Sequence, residues 1–190
     1  WCCRRPDPHR LLRSLLPEPA KRSADSTDPT VAPAGATPAT PRLSIRLFGR
    51  FGVEVDGAVV DDKAWERRSA TSLVKLLALA AGHTLHRDQV AEQLWPRQAP
   101  DAANNSLNKA IHAARRALEP DLHRGSQSRF ILTPRNQVVL ASPGQLQVDV
   151  RRFEQAANQA LREQDAEAAQ AALNHYGGSL LVDDLYEEWT

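Results

Sequence analysis

Between residues 42 and 141 the spacing of apolar side chains changes twice, from every second residue to helical spacing and back again. "RLSIRLFG" puts Leu43, Ile45 and Leu47 on one face, and "FGVEVDG" does the same for Phe51, Val53 and Val55. Gly49-Arg50 and Asp56-Gly57 are turn signals, and "AVV" at 58–60 returns as a short third strand. The expected product is a small antiparallel sheet rather than a βαβ unit. In "ERRSATSLVKLLALAAG" Ala70, Leu73, Leu76, Leu77 and Ala80 form a stripe, with Gly82 as the helix stop. "RDQVAEQLWP" turns Val90, Ala91 and Leu94 inward, and Pro96 ends it. A third helix, 101–118, closes at Glu119-Pro120. "SRFILTPRNQVVLAS" then reads as a hairpin, with Phe130, Ile131 and Leu132 facing Val138, Val139 and Leu140 across a Pro-Arg-Asn turn.

The flanks differ in texture. Residues 17–41 hold six prolines among Ala, Ser and Thr, too little apolar side chain to repay ordering, so residues 1–41 read as a basic tail and a disordered linker. From Asp149, "DVRRFEQAANQAL" places Phe153, Ala156, Ala157, Ala160 and Leu161 at helical spacing, with Asp149 as N-cap. "DAEAAQAALNHYGG" is a second Ala-rich helix ending at Gly177. The pair resembles one helical-repeat hairpin, which cannot bury its own face alone. The fold class is therefore α+β: a winged helix-turn-helix over 42–141, followed over 148–190 by an α-helical, TPR-like hairpin.

Charge separates the same parts. Residues 42–141 carry fifteen Lys/Arg against ten Asp/Glu, whereas 142–190 carry three against nine. A basic middle and an acidic end imply different partners. The chain has no Met, begins at Trp1 and ends in "DDLYEEWT" as an amphipathic segment starts, so it reads as part of a longer protein. The adjacent Cys2 and Cys3 offer no disulfide framework. No run of about 18 apolar residues is present, which fits a cytoplasmic, nucleoid-associated protein. "WCCRR" also fits the cytoplasmic flank of a membrane helix lying upstream.

The helix 101–118 carries the most chemistry. Leu107, Ile111, Ala114 and Leu118 gather on its core side, and Asn105, Lys109, His112 and Arg116 on the opposite side, flanked by Asn108 and Arg115. A solvated face ordinarily mixes signs and prefers Glu to Asn. This arc holds only amides and cations. Asn pairs with the major-groove edge of adenine, and Arg or Lys with guanine or phosphate. Because a docked helix reads bases mainly with its N-terminal residues, base contact is assigned to Asn105, Asn108, Lys109 and His112. Backbone contact is assigned to Arg67 and Arg68 at the first helix start, Arg87 at the second, Arg115 and Arg116 further along the third, and Arg129 and Arg135 on the hairpin.

These motifs resemble a known family. "RLSIRLFGRFGVEVDG", "LVKLLALAAG", "VAEQLWP" and "NNSLNKAIHAARRALE" are similar to the OmpR-type winged helix of the Streptomyces antibiotic regulatory proteins, and "VDVRRFEQAANQAL" and "HYGGSLLVDDLYEEW" to the opening of their bacterial transcriptional activator domain. The resemblance implies a transcription factor that binds double-stranded promoter DNA, commonly as a homodimer on direct repeats, and helps recruit RNA polymerase. It makes 101–118 the recognition helix, 129–140 the wing, and "WPRQAPDA" the loop that faces polymerase. Asn108, Lys109, His112 and Ala113 depart from the residues common there, so the operator does not carry over. His86 replaces a common Ser or Thr N-cap.

Other readings are weaker. His83 and His86 have no third ligand at metal spacing, and no nucleophile elbow, P-loop or dinucleotide fingerprint appears. No enzyme activity, cofactor or small-molecule substrate is expected, and the carboxylates of 183–188 read as a helix cap and solvated face. A scaffold that binds protein through both parts is the alternative, and it would lack the steep salt dependence of phosphate neutralisation. Double-stranded RNA suits a single wedge-like helix less well than B-DNA.

Overall fold

Leu43 and Ile45 are essentially inaccessible while Arg46 is exposed, and this alternation makes β1, Leu43–Arg46. It pairs antiparallel with β2, Gly52–Val55, in the register Ile45 opposite Val53. Beyond β2 the Asp56-Gly57 turn has both φ angles positive, 50° and 83°, as the two-residue turns that match strand twist require. β3, Ala58–Val59, completes the meander. The structure is a computed structural model that describes residues 43–123, 125–141, 144–185 and 187. The tail, the linker and "WCCRR" lie outside the described residues.

Three helices fill the space behind the strands. α1 spans Arg68–Leu79 and buries Leu73, Val74 and Leu77 completely. It stops three residues before Gly82, which sits at φ 62° in the following turn. α2, Arg87–Leu94, buries Val90 and Ala91. The amide of His86 donates to Gln89 Oε1 at 3.0 Å, so the helix start is closed from the Gln89 side. α3, Pro100–Leu118, has proline in its first turn, where the missing N–H costs nothing. Its buried face is Leu107, Ala110, Ile111, Ala114 and Leu118. Full burial of each Leu or Ile stabilises by about 1.5–3 kcal/mol.

The wing has three strands rather than two. β5, Ile131–Leu132, and β6, Gln137–Leu140, form the expected hairpin. β4, Thr84–His86, adds to β6 with Leu85 opposite Val138, giving the order β4-β6-β5. Three residues are too short a run for a period of two to show in the sequence. Phe130, Ile131, Val138 and Leu140 join the core of α1 and α3.

The first sheet is mixed, which corrects the expectation of a purely antiparallel one. β7, Leu146–Val148, lies parallel to β1 with Val148 opposite Ile45, giving the order β3-β2-β1-β7. It returns only after all three helices and the wing, so no local pattern announces it. β7 runs directly into α4, Asp149–Glu163. Asp149 does not cap that helix from outside. It is the first helical residue, and its carboxylate accepts the amides of Leu47 and Phe48 at 2.9–3.0 Å, closing the end of β1.

α5, Ala166–Leu173, is capped by Asp165, whose side chain accepts from the amides of Glu167 and Ala168, and it packs on α4 with Ala160 and Ala172 buried. Leu161, expected at this seam, is 75% exposed. The helix ends before Gly177. A Cβ at Gly177 would lie 3.1 Å from that of Phe48, so the chain passes there because the residue is glycine.

Residues 176–185 then run back across the winged helix as a strap. Tyr176, Phe48 and Phe153 form an aromatic cluster with centroids 5.1–5.8 Å apart. The Gly49 amide donates to Ser179 O at 2.8 Å and the Leu181 amide to Leu47 O at 2.9 Å, and Leu181 is 6% exposed within the main core. The turn Val182–Asp184 buries Asp184 against Lys75 of α1, with side-chain exposures of 4% and 6%. The solvated acidic face expected at 183–188 is thus corrected at Asp184, because an inward lysine on α1 requires a counterion. The strap makes the segment beyond residue 141 part of the core that supports α3. All the described residues lie in one compact unit, and among them no helix is long and apolar enough to cross a membrane.

Candidate nucleic-acid interface

With its apolar side sealed, α3 presents Asn105, Asn108, Lys109, His112 and Arg116 to solvent. The stripe is continuous because these residues recur three or four positions apart on a straight helix. Ser106 at its edge donates to Gln98 Oε1 at 2.9 Å and so holds the loop between α2 and α3 against the helix.

Asn108 has a partner. Arg87, at the start of α2, donates to Asn108 Oδ1 at 2.7 Å. That bond occupies the acceptor Asn108 would offer to the amino group of adenine, leaving its NH2 free to donate. The half-buried Arg87 and exposed Asn108 therefore form one polar unit spanning both helices of the helix-turn-helix. Asn105 and Lys109 stand clear on either side.

Arg67 lies where the stripe needs a cation. It precedes α1 in extended conformation, and with Asn108, Lys109 and His112 it lines a cleft of about 310 Å³. Glu66 lines the same cleft and pairs with Arg116 at 3.3 Å, with exposures of 50% and 60%. Glu66 precedes α1, so the spacing of residues along α3 gives no sign of this carboxylate. It offsets one cation of the stripe and repels phosphate.

The remaining arginines divide by what they hold. Arg115 does not project freely. Its guanidinium donates to Ile131 O at 3.0 and 2.9 Å and to Thr133 Oγ1 at 3.3 Å, bracing α3 against the wing. Burial pushes its pKa below the ordinary arginine value, with the charge of Glu119 opposing. Arg129 donates to Asp56 at 3.2 Å and Glu119 at 3.3 Å, and lies over the Phe130 ring at 4.8 Å. Its pKa is raised: burial acts downward, and the hydrogen bonds and charges of Asp56 and Glu119 outweigh it. Glu119 also accepts from the Ser128 hydroxyl and the Arg129 amide, so the group closing α3 anchors the wing. Arg68 is ion-paired with Glu187 at 2.6 Å. Arg135 is exposed at the wing tip with φ 53°, and the neighbouring Asn136 ties the tip to α2 through its carbonyl, at 3.0 Å from the Arg87 amide, and through Asp88, at 3.3 Å.

The structure thus brings Asn105, Asn108, Lys109, His112, Arg67, Arg87 and Arg116 together on one surface, whereas Arg115 and Arg129 are committed to the joint between helix and wing. Among the described residues no three His, Cys, Asp or Glu side chains gather as metal ligands.

A helix-turn-helix whose second helix exposes amides and cations, braced by a three-stranded wing, defines the winged-helix class of DNA-binding domain. Residues 66–137 match the family described as "Transcriptional regulatory protein, C terminal". Among solved structures, Mycobacterium tuberculosis EmbR, determined in complex with a low-affinity phosphopeptide, is similar with a TM-score of 0.59 and 20% identity. The likeness covers 76% of this chain and 38% of that one, and at this identity it speaks to fold. No curated protein sequence shows a match. Domain match and fold likeness agree with the winged-helix fold that the motifs suggested.

Proposed function

We propose that the chain binds duplex DNA sequence-specifically, with α3 in the major groove, and acts as a transcriptional activator. The observation that carries this is the exposed stripe of amides and cations on α3, with Arg67 beside its Asn108, Lys109 and His112. Asn105 and Lys109 take the base edges, with Asn108 reading through its NH2 while Arg87 holds its oxygen, and His112 follows. Arg67, Arg87 and Arg116 face phosphates, and Arg135 faces the backbone or the minor groove. Arg68 joins them when Glu187 is displaced. Arg115 and Arg129 act indirectly, by fixing the wing.

Activation is assigned to the loop after α2. A cleft of about 370 Å³ lies between α2 and α3, lined by Ala91, Trp95, Pro96, Pro100 and Ala103 with Asp88 and Glu92 at its rim. Apolar walls with an acidic rim suit a protein partner with exposed apolar and basic side chains, and RNA polymerase is that partner. The resemblance further suggests pairing of two copies on direct repeats.

Selection of bound duplexes from a random pool tests the DNA reading: one enriched sequence should emerge, with affinity falling steeply as salt rises. Equal affinity for every duplex after selection would refute it. Glu92→Lys should leave that affinity unchanged and lower transcription from a promoter carrying the selected site. Undiminished transcription would remove the cleft from the polymerase assignment.

A further inference from the structure

A second cleft, of about 370 Å³, opens between the C-terminal half of α3 and the loop that follows it. Its polar lining is His112, Arg115, Arg116, His123 and Ser126, and no carboxylate is among the described lining residues. His112 also lines the cleft that holds Arg67, Asn108 and Lys109, so the two hollows adjoin along α3. Arg115 is already held in place by the Ile131 carbonyl, which leaves its charge fixed beside the cleft without further loss of side-chain freedom. The Arg116 guanidinium, two imidazoles and a hydroxyl around one concavity are donors that phosphate oxygens accept from, with the fixed charge of Arg115 beside them.

Position along the helix selects the source of that phosphate. At 1.5 Å per residue, Asn105 and Arg116 are about 16 Å apart along the axis, and the major groove is about 12 Å wide. When Asn105 and Lys109 meet base edges, the C-terminal end of α3 must leave the groove floor and meet the flanking strand. We propose that this cleft is a phosphodiester site for the DNA backbone, in which His123, outside the helix and outside the assigned interface, is a contact residue together with Arg116. Glu66 yields Arg116 to the incoming phosphate, exchanging an exposed ion pair of little strength for a charge-assisted bond at the interface. The proposal rests on the duplex-binding reading above and assigns the backbone position at the helix exit.

The test uses the full chain and its selected duplex, with each flanking phosphate replaced in turn by an uncharged methylphosphonate. In the unaltered protein one replacement beside the half-site should weaken binding severalfold. His123→Ala should weaken selected and scrambled duplexes alike, because a backbone contact carries no sequence information. For this variant the same methylphosphonate should no longer matter, and His123→Arg should restore its effect. A His123→Ala protein that binds as tightly as the original, with an unchanged phosphate profile, overturns the proposal while leaving duplex binding intact. Absence of any selected duplex would refute the duplex-binding reading and this site together. Inorganic phosphate provides the other arm: if it shifts the His123 resonances at millimolar concentration while methylphosphonate scanning finds no coupled position, the cleft is a free-anion site and the backbone assignment falls.

Discussion

Replacing Asp184 with Asn removes the counterion of a lysine that has almost no access to water. Lys75 is 6% exposed at its side chain and Asp184 4%, so neither charge is hydrated in the folded state. Breaking such a pair from one side costs about 3–5 kcal/mol, because the remaining ammonium is left buried and uncompensated. The contact of Lys75 Nζ with the Phe51 ring, 4.7 Å from its centroid, is common to both proteins and cancels from the difference. A loss of about 3–5 kcal/mol follows, or on the order of 10 °C in Tm for a unit of this size. Thermal and urea unfolding followed by circular dichroism would measure it. Adding Lys75→Met should recover most of the loss, since the double variant buries no charge. The strap should open first, so amide exchange would accelerate at residues 176–185 before it does in α3. A single variant within about 1 kcal/mol of the original, or a double variant less stable than the single, would show that Lys75 does not depend on Asp184.

Three further outcomes are expected. Glu66→Gln should tighten binding to all duplexes by a few fold and steepen the salt dependence, measured by titration at several salt concentrations, because it frees Arg116 and removes a repulsive charge; weaker binding would contradict this. Arg115→Lys should destabilise by about 1–2 kcal/mol, since an ammonium cannot reproduce the fork of bonds to Ile131 and Thr133, and amide exchange should show the change in β5 and β6. Asn105→Ala should alter the preferred base at one position, at about 1–3 kcal/mol, whereas Arg116→Ala should weaken all sequences alike and lower the salt slope by about one; repeating the selection with each variant separates the two, and the reverse pattern would invert the docking polarity.

Much of this molecule is written in short-range periodicity. The alternation at 43–47 and 51–55, the stripe of α1 and the two faces of α3 each follow from one local fact, that burial selects every second residue on a strand and every third or fourth on a helix. The exposed row from Asn105 to Arg116 was legible for the same reason, because a helix fixes the relative direction of its own side chains. Tertiary structure decided what no local period carries. β4 and β7 have three residues each, too few to display an alternation, and β7 meets β1 from a hundred residues away in sequence. The cations of the interface look alike in sequence, yet Arg116 finds Glu66, Arg68 finds Glu187, and Arg115 finds a wing carbonyl, leaving Arg67, Lys109 and Arg135 for solvent. Asp184 reads as one more solvated acid until the strap lays it on Lys75. Charge pairing depends on distance in space and on the loss of water around both groups, and both are set only when the elements pack.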